Sequence, residues 1–471
     1  MTALLARLRP SGDANAFDRR LIAPMILGSI LNPVNSSLIA VALVPIGIAL
    51  GAPASETAWL VAGLYIATAV GQPVTGRLVD LYGPRPLYLV GTALVGIGGL
   101  LGALAPDIWT LVGARVLLGL GTCAGYPAAM SMIRGEARRT GRDSPEGILT
   151  LLSISTQTIA VIGPTLGGLL IGLGGWRTTF TVNVPLALAC LVLGARRLPR
   201  GTRRDRTTGL AATLDPAGIV LFAVTLVALL LVLLHPAWWP LLAVVVAAGT
   251  ALAVWELRAA HPFLDLRVLG GNVPLLVTFL RALLAATVTY CLLYGFTQWL
   301  EQGRGLSPSV AGLVLLPIFI TGIGVAAISG RRRELRGKLL VGAAGQVIVS
   351  VLLFFLGDTS AIWFIVVVTL IAGVPQGLNT LAVQNATYRQ SDPARVASSA
   401  GLMRTFFYLG AIAASTTGGI AFAHGATTPG LHDLALVMLV ASALFLVITV
   451  ADRSLGRLTA TQDRATQEDP A

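Results

Sequence analysis

The chain has 471 residues, of which 55% are apolar and only 11% charged, against roughly 25% charged in soluble domains. The apolar residues fall in blocks of about 20, the length that crosses a bilayer core of roughly 30 Å, and this excludes a soluble enzyme. The net charge of +12 is no argument for nucleic-acid binding, because the arginines sit in short loops between apolar blocks.

The first segment, Met1–Arg20, is polar and Arg-bearing, with no short apolar run ending in a small-residue cleavage site. No cleaved signal peptide is expected, and the first apolar block reads as a retained helix. Fourteen spans are predicted, at Leu21–Leu43, Trp59–Val79, Leu87–Leu104, Ile108–Ala129, Ile148–Leu173, Phe180–Leu193, Pro216–Leu234, Leu241–Trp255, Val273–Tyr294, Ser309–Ile328, Leu339–Leu356, Ala361–Leu381, Ser398–Ala423 and Leu431–Ala451. No block alternates with period two over ten residues, which argues against a β-barrel. The three cysteines, Cys123, Cys190 and Cys291, lie inside apolar blocks without CxxC spacing, so neither a disulfide framework nor a zinc site is expected.

Placing the N-terminus inside assigns 28 of the 33 basic residues to cytoplasmic segments. Arg177 and Arg304 fall outside, while Arg115, Arg281 and Arg404 fall within spans. This asymmetry orients the chain with both tails cytoplasmic. The richest loop, Arg196–Arg206, has six Arg in eleven residues and reads as a solvated topology signal, with contact to anionic lipid as the lesser reading.

An internal repeat is visible. Gly76-Arg77-Leu78-Val79-Asp80-Leu81-Tyr82-Gly83 after span 2 is echoed by Gly330-Arg331-Arg332-Arg333-Glu334-Leu335-Arg336-Gly337 after span 10. Gly163-Pro164-Thr165-Leu166-Gly167-Gly168 in span 5 is echoed by Ala414-Ser415-Thr416-Thr417-Gly418-Gly419 in span 13. Both pairs are offset by eight spans. The fold class is therefore all-α and polytopic, with two six-helix bundles and a two-helix insert. The expected order is an N-tail at 1–20, an N-terminal bundle at 21–195, a basic loop at 196–214, the insert at 215–256, a loop at 257–271, a C-terminal bundle at 272–452 and a C-tail at 453–471. Two related bundles with a midplane site between them is a transporter architecture.

Three motifs carry chemistry. In Gly76-x-Leu78-x-Asp80-x-x-Gly83-x-Arg85 the glycines make a tight turn, and Asp80 stands where an acid caps a helix or pairs with a base. In Arg115-x-x-x-Gly119-x-Gly121 a charge lies inside span 4, either facing a polar cavity or partner or snorkelling to the outer surface. In Gly163-Pro164-x-x-Gly167-Gly168 the proline frees a carbonyl and the small residues admit a neighbouring helix.

These motifs resemble the major facilitator superfamily, in its fourteen-helix drug:proton antiporter branch, over nearly the whole chain. The resemblance implies that the Gly76–Arg85 cluster, with Gly330, Glu334 and Gly337 as its echo, is a gating latch on the cytoplasmic side. It implies a part in proton coupling for Arg115, although Leu118 replaces the Gln common before the first glycine. The helix-5 motif (Gly163, Pro164, Gly167, Gly168) marks exporters, and Trp176–Pro185 is similar to the same branch. The departure lies in span 1. There the branch carries a Leu-Asp start, whereas this chain has Val34-Asn35, and Asn does not titrate.

Candidates for the substrate cavity follow from polar residues inside spans. Asn32, Asn35 and Ser36 share one face of span 1, suited to substrate contact or to interhelical hydrogen bonds. Arg281 and Arg404 either snorkel inward or present positive charge to a cavity. Tyr126, Gln157, Tyr290, Tyr294, Gln376 and Asn379 serve as interhelical ties or ligands.

The expected function is secondary transport, with export of small amphiphilic molecules by alternating access. The alternatives are a transporter of an endogenous metabolite or lipid, or a facilitator uncoupled from protons. The expected partners are the bilayer of a bacterial inner membrane and a small-molecule substrate, with no nucleic acid. The chain is expected to act as a monomer. No cofactor is expected, because no P-loop occurs and the four histidines are scattered.

Overall fold

The computed structural model describes residues 17–52, 54–140, 146–199, 215–234, 236–260, 262–264, 266–306, 308–330, 334–422 and 425–452. The expected N-tail up to residue 16, most of the basic loop, Arg331 to Arg333, three of the four histidines and the C-tail from residue 453 lie outside the described residues.

Among the described residues seventeen α-helices follow in chain order: α1 Ile22–Leu50, α2 Ala54–Tyr82, α3 Pro84–Leu104, α4 Ile108–Thr122, α5 Gly125–Thr140, α6 Glu146–Gly174, α7 Thr178–Thr181, α8 Asn183–Arg197, α9 Pro216–Leu234, α10 Leu241–Arg258, α11 Leu266–Gly271, α12 Val273–Tyr290, α13 Pro308–Ser329, α14 Leu335–Leu353, α15 Ile362–Gln390, α16 Val396–Ala421 and α17 Thr428–Ala451. No strand occurs among the described residues. Twelve helices there are long and apolar enough to cross a membrane, against fourteen expected. The expected spans 2 and 5 coincide with α2 and α6, each of 29 residues. α4 and α5 run on as one 33-residue rod. α12 continues through π-helical turns at Cys291–Phe296 and Trp299–Gly303, wide turns that often mark functional positions.

Local chemistry sets the ends. α2 stops at Gly83, whose φ of 85° only glycine adopts easily, and Pro84 opens α3 where its missing N–H costs nothing. Asp107 caps α4 by accepting from Trp109 N and Thr110 N, both at 2.9 Å. Asn272 caps α12 through Leu275 N at 3.2 Å.

The chain divides into two compact units, Met1–Thr207 with Asp392–Gly401, and Thr208–Ser391 with Leu402–Ala471. Within the first, α1 packs on α6, α2 on α4, and α3 on both α4 and α8. Within the second, α13 packs on α15, and α14 on both α15 and α17. In span order the pairings 2–4, 3–4 and 3–6 thus recur as 10–12, 11–12 and 11–14, the same eight-span offset as the sequence repeat. The third pairing is even tied alike. Arg85 Nη2 donates to Ala195 O at the end of α8 (2.8 Å), and Arg336 Nη2 donates to Val450 O at the end of α17 (3.1 Å). Helix ends leave carbonyls unpaired, and a cation there also meets the negative end of the helix dipole.

The two arginines that break the inside bias have the same occupation. Arg177 Nη2 donates to Ala105 O, just after α3, at 3.1 Å. Arg304 donates to Gly357 O at 3.0 Å and Ser360 O at 2.7 Å, just after α14.

Lipid tails are as apolar as leucine, so helices associate in a bilayer through close packing and hydrogen bonds. α1 and α6 meet at glycines: a Cβ on Gly163 would overlap the Ser37 hydroxyl, and one on Gly167 would stand 2.6 Å from Val41 Cγ2. Gly168 and Gly172 face open space. Gly167→Leu is expected to abolish transport and lower stability by about 1–3 kcal/mol, read by flux and by thermal unfolding in detergent. Gly172→Leu on the same helix should stay near wild type in both.

Candidate transport site

Asp80 lies in the last turn of α2. Its Oδ1 accepts from Ala397 N at 3.1 Å, and its Oδ2 accepts from Ser398 N at 2.8 Å and from the Ser398 hydroxyl. These N–H groups open α16 and have no carbonyl of their own helix to bond. The carboxylate is therefore a helix cap supplied from another helix, with its charge at the positive end of the α16 dipole. Gly76, one turn earlier, makes the approach possible, since a Cβ there would run into the Ala397 carbonyl. Arg85 serves α8, as described, and Gly83 forms the turn.

The echo of this motif is built differently. Gly330 follows α13, and Glu334 stands at the N-cap position of α14 without bonding its N–H groups. A Cβ on Gly337 would lie 2.8 Å from Glu334 Oε1, so this acid folds over its own helix. Asp80 closes one helix and Glu334 precedes another, although their offsets in the repeat agree.

In the same first unit, Arg115 is 2% exposed and donates from Nε to Leu60 O (2.9 Å) and from Nη1 to Asn35 O (3.1 Å). Asn35 is 3% exposed, and its Nδ2 donates to Leu31 O (2.9 Å) and to Asn183 Oδ1 (2.7 Å). Asn183 in turn donates to Phe180 O at 3.2 Å. Asn35 thus ties α1 to α8, and Arg115 ties α4 to α1 and α2. Asn32 donates to Thr122 Oγ1 at 3.1 Å, and Ser36 is half-buried beside it. Gln157 reaches only Ser153 Oγ on its own helix, at 3.2 Å, and Tyr126 is buried on α5. Gly163 and Gly167 hold α6 on α1; Pro164 lies between them.

In the second unit, Arg281 is fully buried. It forms an ion pair with Asp452 at 2.7 Å and donates to Ile448 O and Thr449 Oγ1, both at 3.3 Å. Its charge is cancelled at the end of α17. Tyr290 and Tyr294 have ring centroids 5.3 Å apart, and Tyr290 meets Phe407 edge-on at 5.6 Å. The Arg404 guanidinium lies 5.8 Å from the Phe407 ring centre. Thr289 donates to Gln376 Oε1 at 3.0 Å. These residues, with Tyr294 the most exposed, make one aromatic and polar face. Asn379 turns instead to α14, where a Cβ on Gly342 would overlap its amide.

Sequence reasoning missed Asn183, Asp452, Ser398 and Phe407 as members of these groups. Asn183 carried a signal, as the single amide in Trp176–Pro185. Asp452 is the first acid after the last span. Ser398 and Phe407 carried none, because their roles depend on which helix lies opposite.

Asp80→Asn keeps one acceptor oxygen and loses the charge, so it should weaken the cap by about 1 kcal/mol and slow transport while leaving insertion intact. Wild-type flux at equal protein level would contradict this. Asn35→Asp replaces a donor that faces two oxygen acceptors, so stability should fall by about 1–3 kcal/mol, measured as a lower unfolding temperature. An unchanged temperature would mean that the Asn183 tie carries no weight.

The Major Facilitator Superfamily model matches residues 25–415. A Bacillus subtilis (strain 168) protein, "Uncharacterized MFS-type transporter YwoD", is 31% identical over 435 residues, covering 90% of this chain and 94% of that protein. "Multidrug efflux pump LfrA" of Mycolicibacterium smegmatis (strain ATCC 700084 / mc(2)155) is 30% identical over 427 residues, covering 85% of this chain and 80% of the pump. The solved structure of the proton:xylose symporter XylE superposes with a TM-score of 0.63 at 13% identity, covering 92% of this chain and 96% of XylE, a likeness of fold. The chain is a multi-pass membrane transporter and belongs to the Major Facilitator Superfamily.

Proposed function

We propose that the chain exports small amphiphilic molecules by alternating access, as a monomer in the bacterial cytoplasmic membrane with both termini inside. The Asp80 cap on α16 is the observation that carries this reading. It joins the last turn of α2 to the first turn of α16, both in the first unit. It consists of a few hydrogen bonds at a helix end, a bond set that can break and re-form without disturbing a packed core. Export, rather than uptake, rests on relatives such as the LfrA pump. The fold leaves direction open, since XylE is a symporter.

The charge of the substrate follows from what the spans lack. α1, α4, α15 and α16 contain no Asp or Glu. A lipophilic cation desolvated at the midplane needs a countercharge, and neutral, zwitterionic or anionic amphiphiles do not. Any proton coupling is weak, or runs through Asp80 at the membrane edge or through the substrate's own titratable group.

Flux in proteoliposomes with a pH gradient of either sign tests both parts. Neutral and anionic dyes should be transported with a shallow dependence on the gradient. Expulsion of ethidium with a steep dependence would overturn the charge assignment, and absence of any flux would overturn transport itself.

A further inference from the structure

The two-helix insert, α9 with α10, is fastened at its ends by polar ties. Of the eighteen residues of α10 only Glu256 is buried, at 1% exposed, and a buried acid is rare unless it is bonded. Glu256 Oε2 accepts from Leu264 N at 3.1 Å. Asp215, the residue before α9, accepts from Phe263 N at 3.1 Å and from the Trp255 indole N–H at 2.7 Å. A Cβ on Gly218 would run into both carboxylates, so the two acids meet over the first turn of α9. Asp215 reaches this position with a φ of 47° and is the one left-handed residue other than glycine among the described residues, a conformation kept only where the surroundings fix it. These bonds pin to the insert the connector that leads from α10 towards α12. Phe263, in that connector, also meets Phe222 of α9 edge-on at 5.5 Å.

The other end of α9 is tied to α16. Thr416 Oγ1 donates to Leu233 O at 2.7 Å, closer than to Ile412 O of its own helix at 3.1 Å. Leu233 lies in the last turn of α9, where a carbonyl has no partner within its helix and lipid offers none. Thr417, the next residue, donates instead to Ala413 O within α16 at 2.8 Å. Thr416 belongs to the echo of the helix-5 motif. In that echo Gly418 faces the π-helical continuation of α12, where a Cβ would come to 4.0 Å from Gly295 Cα. Thr416 and Gly418 are two positions apart, which on a helix means nearly opposite faces. The later half of α16 therefore has α12 on one side and the insert on the other.

We infer that the insert is a strut: pinned at one end to the connector before α12 and at the other to Thr416, it clamps the later half of α16 against α12. All of these residues belong to the second unit. α16 begins at the turn that Asp80 caps. With its later half clamped, the helix answers the opening of that cap as a rigid lever instead of sliding along its axis. The lever rests on the transport reading above; the pinning does not.

The test follows hydrogen exchange in the full chain in nanodiscs, in the last turn of α9 and at the Phe263 and Leu264 amides. Thr416→Val keeps the side-chain shape and loses the donor. Exchange in the last turn of α9 should then rise about fivefold, the worth of one neutral hydrogen bond, and Thr416→Ser, which keeps the hydroxyl, should match wild type. Gly218→Ala pushes the carboxylates off the connector and should speed exchange at Phe263 and Leu264, and Asp215→Asn should do so at Phe263 more mildly. Wild-type exchange in α9 of Thr416→Val, or at Phe263 in Asp215→Asn, would overturn the pinning. During turnover Thr416→Val should lose flux severalfold, and exchange at Ala397 and Ser398 should fall in step, with Thr416→Ser again like wild type. Wild-type flux and wild-type exposure of those two amides, in a Thr416→Val protein whose α9 has loosened, would overturn the strut. Absence of flux in wild type itself would overturn the transport reading, and exchange in α9 and the connector would still decide the pinning.

Discussion

One carboxylate, Asp80, holds the first turn of α16. In a bilayer protein the helix ends are the weak points, because every other backbone group is bonded within its own helix. The N-terminal N–H groups of α16 must find acceptors, and the two that Asp80 takes, at 3.1 and 2.8 Å, are reached only because Gly76 has no side chain there. The motif's spacing is therefore a geometric requirement. Glycine at 76 permits contact, acid at 80 makes the bond, and glycine at 83 turns the chain into α3. A helix crossing built on leucine packing would be as strong but slow to open. A cap made of a few hydrogen bonds opens without exposing apolar surface.

Several other arginines share one kind of partner, the backbone carbonyl. Arg85, Arg177 and Arg336 close the carbonyl ends of neighbouring helices, and Arg304 holds the turn after α14. Arg281 closes the end of α17, with Asp452 to cancel its charge. What looked like exceptions to the inside bias, at 177 and 304, are structural ties. Arg115, buried within the helices, is bonded to the backbone carbonyls of Leu60 and Asn35. The selectivity proposed for substrates follows from the lack of Asp and Glu in α1, α4, α15 and α16.

Much of this was legible in the sequence, because a bilayer reduces the problem to length and polarity. Apolar blocks gave the helices, and the Gly76 and Gly330 echoes gave a repeat that returns as the pairing of α3 with α8 and of α14 with α17. Glycines at 163 and 167 read as packing positions from spacing alone, since only a close neighbour explains two small residues one turn apart on one face. What could not be read was partnership across helices. Arg281 read as a snorkelling side chain or a cavity charge, and its ion pair was out of sight, because its partner Asp452 lies 171 residues away. Asn35 was as consistent with a ligand as with a tie, until Asn183 stood opposite. Glu334 matched Asp80 in offset but not in register, because α2 runs through its acid whereas α14 begins after its own.

The most direct measurement is hydrogen exchange at the Ala397 and Ser398 amides, made on the full chain in nanodiscs with and without substrate during turnover. If the Asp80 cap is the tie that opens in each cycle, both amides are protected at rest and exchange rapidly when substrate is turning over, while amides in the middle of α16 stay protected throughout. Protection of Ala397 and Ser398 that is unchanged during active flux would contradict it, because transport would then proceed with the cap closed.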